Sequence, residues 1–187
     1  MTRIISWGAG ILAAALVVAA ASAHVYAQIG TTEHKRTILT FSGAVQVPGA
    51  TLPAGTYVFR LATPDNQMVW QVLDASERHV LASFFYASSR DRTTQEQNRA
   101  NGKPVVRFYE TPRGIAPAMK VLYYPWDSAG YAVLYPKSQA EQIATVTHQP
   151  VLATNSDPAK SPLAHVMTVQ PPSDAAAQAV DAVERSR

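Results

Sequence analysis

The sequence contains no cysteine, which excludes both a disulfide and a lipidated cysteine. Charge is also sparse at 16%, and it is not gathered anywhere. Residues 28–150 carry twelve Lys or Arg against nine Asp or Glu, and residues 151–187 carry three against four. Neither segment offers the clustered basic face that neutralises phosphates, so no nucleic acid is expected as a partner. The nucleophile elbow, the phosphate loop and the dinucleotide fingerprint are all missing, and the enzyme classes built on them lose their usual support. The five histidines, His24, His34, His79, His148 and His165, include no pair at the i, i+4 spacing of a zinc helix, so no metal and no cofactor is expected. A chain without cross-links must hold itself together by packing. Its 47% apolar composition is enough for one domain of ordinary size.

Long apolar runs are confined to the start. Met1-Thr2-Arg3 is a short basic opening, and Ile11 to Ala21 is an apolar stretch followed by small residues, the pattern of a secretory signal peptide over 1–27. Cleavage fits after Ala23 or after Ala27. The second is preferred and sets the mature start at Gln28. An uncleaved anchor is the alternative reading, because Ile4 through Ala23 is nearly long enough to span a bilayer. The expected location is therefore the periplasm or the extracellular space, with at most a peripheral association with membrane.

The most legible stretch runs from Val47 to Leu61. Pro53 presets φ for a turn and Gly55 can supply a positive φ, so the chain is expected to reverse before Thr56. Then the period becomes two. Tyr57, Phe59 and Leu61 are expected on a core face and Thr56, Val58 and Arg60 on the other. Residues 28–34 read as a flexible lead-in, and Lys35 to Phe41 as a first strand. Further strands are expected over 67–73, 79–86, 104–110, 118–124 and 131–135, with an exposed polar loop over 88–103. One helix is signalled, from a capping box at Ser138 and Glu141 to about Thr147, burying Ala140, Ile143 and Ala144. From His148 to Arg187 the composition turns to Pro, Ala, Ser and Asp, and this tail is expected to be mostly disordered.

About seven short strands, frequent turns and one late helix predict an all-β domain over 35–147, an antiparallel β-sandwich or small barrel. An α/β fold is disfavoured because the connectors before Pro136 are too short or too polar to be crossover helices. The blocks Thr40-Phe41-Ser42, Val47-Pro48-Gly49, Leu52 to Phe59, Gln71-Val72, Phe108-Tyr109-Glu110, Tyr124-Pro125 and Tyr135-Pro136-Lys137, with Gln139-Ala140, resemble a group of exported bacterial proteins, common in acidobacteria. The resemblance covers about Lys35 to Ala144. It implies a secreted β-rich domain and brings no catalytic residue.

Chemistry is thinly signalled. Leu52 to Thr56 superficially resembles a sortase sorting signal, but its order and position are wrong and it reads better as turn plus strand. Glu110 and Asp127 stand near strand ends and could act as a carboxylate pair in a hydrolase of envelope polymers if the fold brought them within about 5–10 Å. A strand-end Glu110 and an Asx turn at Asp127 are the plainer readings. The densest aromatic stretch, Val121 to Tyr131, offers Tyr124, Trp126 and Tyr131 as a flat platform for a glycan or protein ligand, provided they are exposed together. The expectation is a non-catalytic exported β-sandwich module, binding or structural, with the hydrolase as its alternative.

Overall fold

The computed structural model describes residues 35–62, 68–90, 102–125 and 127–172 in full and 25–29 as backbone. The expected signal peptide lies almost wholly outside the described residues, and so do Trp126 and residues 173–187.

The chain is all-β with one described helix. Its strands are β1 (Val25–Ile29), β2 (Thr37–Phe41), β3 (Val45–Val47), β4 (Ala50–Leu52), β5 (Gly55–Leu61), β6 (Val69–Asp74) and β7 (Val80–Ser89). Beyond them come β8 (Val105–Tyr109), β9 (Ala118–Tyr123), β10 (Gly130–Val133), β11 (Tyr135–Pro136), the helix α1 (Lys137–Thr147), β12 (Val151–Thr154) and β13 (Met167–Val169). Among the described residues the expected seven strands become thirteen, because β3, β4 and β11 are pieces of two or three residues, while β1, β12 and β13 lie outside 35–147.

The large sheet has the order β1-β2-β5-β6-β7-β10-β9-β3-β4, with β8 also on β9. Its ends at β1 and β4 do not meet, so no barrel closes. Instead the sheet folds over itself into two layers around one core. Phe41 of β2 meets Phe108 of β8 edge to face at 6.3 Å, and Trp70 of β6 stacks on Tyr124 at 6.2 Å. These pairs join strands that are far apart along the sheet path, which is how the two inner faces of a sandwich interdigitate. Two contacts are parallel and make the architecture mixed: Gln46 of β3 beside Ala118 of β9, and β11 beside β12.

β5 forms where alternation demands it. Tyr57 and Phe59 are buried in the main core and Leu61 packs against it. Val58 is buried too, on the opposite face with its cross-strand neighbours Ile38 and Leu73. The turn before β5 differs from expectation in which glycine bends. Gly49 takes the positive φ, +78°, in a tight β3–β4 hairpin after Pro48, whereas Gly55 keeps an ordinary φ as the first residue of β5. Gly55 is instead crowded by Tyr57, whose hydroxyl donates to the Pro53 carbonyl at 2.8 Å.

The helix buries Ala140, Ile143 and Ala144 and ends at Thr147, as its spacing predicts. Its capping box does not form. Pro136 delivers the chain from β11 directly into the first turn, and no side chain caps it. Glu141 faces Lys137 at 3.8 Å instead. His148 closes the helix in the left-handed region, its N–H donating to the Ala144 carbonyl.

Packed structure continues past the expected boundary at Thr147. Val151 and Ala153 of β12 are fully buried in the main core, and β13 pairs with β12. Two apolar side chains, two residues apart on one face of the strand, hold this short strand against the helix and the sheet although prolines flank it. Leu152 points the other way and packs against two smaller clusters, one of Val69, Phe85 and Leu134 and one of Val121, Tyr123 and Ala132.

Candidate functional site

The expected aromatic platform is an interior corner. Tyr124 and Tyr131 meet edge to face at 5.9 Å, but they are only 2% and 8% exposed. Trp70 stacks on Tyr124, and Tyr86 lies against Tyr131 at 4.8 Å. The flat exposed surface expected of Tyr124 and Tyr131 is therefore not formed, because the opposite layer covers both rings. Trp126 lies outside the described residues.

Polar groups close the rim of this corner. Lys35, in the left-handed region at φ 42°, aims its ammonium at Asp127 Oδ2, 3.0 Å away, and at the Tyr131 hydroxyl. Tyr131 donates in turn to Asp127 Oδ2, and the Tyr124 hydroxyl donates to the Lys35 carbonyl at 3.3 Å. Lys35 also stands 4.7 Å from the centre of the Tyr131 ring. Burial pushes both phenols well above their ordinary pKa, and the Asp127 carboxylate adds to the rise. Tyr131 is consequently a proton donor at neutral pH and not a base. The cleft outside it, between Lys35, Asp127 and Gly130, has a volume of only about 170 Å³.

Glu110 and Asp127 are not brought together. Glu110 is exposed just beyond Tyr109, which pairs with Ala118 at the start of β9, whereas Asp127 follows the other end of that strand. β9 has six residues, which at about 3.3 Å per residue sets the two ends roughly 17 Å apart. That exceeds the span of either glycosidase geometry.

Other carboxylates are engaged locally. Asp74 accepts from the Ser76 hydroxyl at 2.8 Å, the Arg78 amide at 2.9 Å and His79 Nδ1 at 3.0 Å, fixing the turn between β6 and β7. These bonds, the one from His79 foremost, hold Asp74 well below the usual carboxylate range. His79 is thus a strut of the turn. Glu77 is lowered by its pairing with Arg36, and Asp157 chiefly by the Ala159 amide. Among the described residues no three His, Asp or Glu side chains gather as a metal site would require.

A larger concavity lies elsewhere and no motif announces it. It has a volume of about 600 Å³ and sits where the chain leaves β10 for the helix. Phe85 and Leu134 border it but are themselves buried, Pro136 and Pro158 lie on its rim, and Ser83, Ser138, Asn155 and Asp157 give it polar groups. Its charges are balanced nearby: Lys137 faces Glu141, and Asp157 faces Lys160 at 3.4 Å. The volume falls within the range of small-ligand sites. Comparison with known protein families, curated proteins and solved structures finds no match to this chain.

Proposed function

We propose that this chain is an exported, non-catalytic β-sandwich module with a binding or structural role in the cell envelope or outside the cell, on the lines of the exported bacterial group its sequence blocks resemble. The export half rests on the basic and apolar start of the sequence. The non-catalytic half is supported by one observation: Glu110 and Asp127, the carboxylate pair of the hydrolase reading, stand near opposite ends of β9. The two-carboxylate hydrolase considered for them needs both groups within about 5–10 Å of each other. The roughly 600 Å³ cleft is the place where a ligand fits.

The test incubates the purified protein with isolated envelope polymer, then measures both co-sedimentation and release of soluble fragments. Co-sedimentation without release is expected, unchanged in Glu110→Gln and Asp127→Asn. Fragment release abolished by either substitution would establish the hydrolase reading instead.

A further inference from the structure

The wall of the large cleft is a strand edge. β7 is shared by two ladders. Its first half pairs with β6, from Leu73 opposite Val80 to Val69 opposite Phe85, and its second half pairs with β10, from Val133 opposite Tyr86 to Gly130 opposite Ser89. The two partners lie on opposite edges, since the Tyr86 amide donates to Met68 on the β6 side while the Phe85 carbonyl accepts from Leu134 on the β10 side. At Leu134 the covering chain departs. Tyr135 and Pro136 pair with β12 in a separate sheet, so among the described residues no strand pairs with the second edge of β7 before Phe85.

Alternation says which groups point into the gap. The Val69 carbonyl accepts from Ala62, on the β5 side, so Val69 and Phe85 turn their backbone groups away from each other. Gln71 and Ser83, two residues along each strand, repeat that geometry. Within an antiparallel pair this places the Ser83 N–H and C=O outward from β6, on the edge that β10 has left. Ser83 is exposed and lines the cleft together with Phe84 and Phe85. Just before it, Val80 and Leu81 are 50% and 42% exposed, large apolar side chains at the open start of the strand.

We propose that this cleft binds a short peptide in extended conformation, which adds as a strand to the free edge of β7 at Ser83. The inference rests on the reading of the chain as a binding module and names its ligand class. Main-chain donors and acceptors at strand spacing are matched by another peptide backbone. Val80 and Leu81, exposed beside the edge, favour apolar side chains at the alternate positions of an added strand that meet them, and the balanced charges at Lys137, Glu141 and Asp157 give no reward for a strongly charged peptide. An uncharged segment with alternating apolar residues is the occupant that fits.

The experiment pans the full chain against a displayed library of random heptapeptides and measures the enriched peptides by fluorescence anisotropy. Uncharged, alternating sequences are expected, with binding lost on N-methylation at every second residue. Ser83→Pro removes one edge donor and is expected to weaken binding by about tenfold or more. Should that variant lose its circular dichroism, Asn155→Trp, at an exposed position of the cleft, blocks the site without touching the ladder. Peptides that tolerate N-methylation throughout, or that bind both variants unchanged, overturn the proposal. So does dimerisation that Ser83→Pro abolishes, because the edge then belongs to a second copy. If no peptide is enriched while envelope polymer still co-sediments, the ligand class falls and the module stands.

Discussion

Alkaline pH should unfold this protein through its buried tyrosines. Tyr124, Tyr131 and Tyr135 are nearly or wholly buried, and burial is the leading cause that raises each phenol above the ordinary value of 10.0. Their folded state holds the proton, so their contribution to stability is complete below about pH 10 and is lost as pH rises toward the folded values. Each such group costs about 1.4 kcal/mol per pH unit in that window, and three together about 4 kcal/mol per unit. A domain stable by about 5–10 kcal/mol therefore unfolds at roughly pH 11–12.5. Tyrosinate absorbance and circular dichroism, followed together, should show these phenols ionising in one cooperative step as structure is lost. Tyr135→Phe sharpens the test. It removes the hydroxyl that donates to the Met119 carbonyl at 2.8 Å and approaches that of Gln46 at 3.2 Å, which should cost about 1–3 kcal/mol at neutral pH. It should also reduce the alkaline slope, since one proton-holding phenol is gone. The reasoning is refuted if all eight tyrosines ionise near pH 10 with the dichroism intact.

Phe59→Ala, at the centre of β5, should cost about 3–5 kcal/mol in a urea titration, because the layers leave no room to collapse around the missing ring. Gly130→Ala places a Cβ 2.5 Å from the Tyr123 ring and 2.7 Å from Val121, and should lower stability by about 1–3 kcal/mol through overpacking. A chain beginning at Gln28 loses three of the five β1–β2 pairs, Val25 with Phe41, Tyr26 with Thr40 and Ala27 with Leu39. It should be less stable than one beginning at His24 by about 1–3 kcal/mol. Equal urea midpoints for the two chains would remove any role for β1 in the stability of the fold.

Strands with enough length to show a period were legible: β2, β5, β6, β7, β8 and β9 fall where alternation and turns place them, and the helix buries the three residues its spacing selects. Partner choice was not. β3, β11 and β12 have two to four residues, too few to display a period, and their pairings join distant segments. β12 also decides the state of the aromatic corner. Alternation sends Tyr123 and Tyr124 to opposite faces, which suggests that one is open. Both are buried, because Tyr124 lies against Trp70 in the main core while Leu152 packs with the cluster behind Tyr123. The large cleft draws its walls from β7, Leu134, the start of α1 and the segment after β12, so no local motif could mark it. The one local hint was Pro136, which has no amide to continue a ladder and shows where the strand must leave.

The parallel seat of β3 against β9 bears on the order of assembly. Gln46 bonds through its side chain to the Ala116 carbonyl, 70 positions later in the chain. On a ribosome the amino-terminal segments emerge first, and β5, β6 and β7 can zip as neighbours at once. The Pro48 hairpin must then wait with one margin bare until β9 arrives. During that interval a helper protein that shields naked strands would meet its most vulnerable client here.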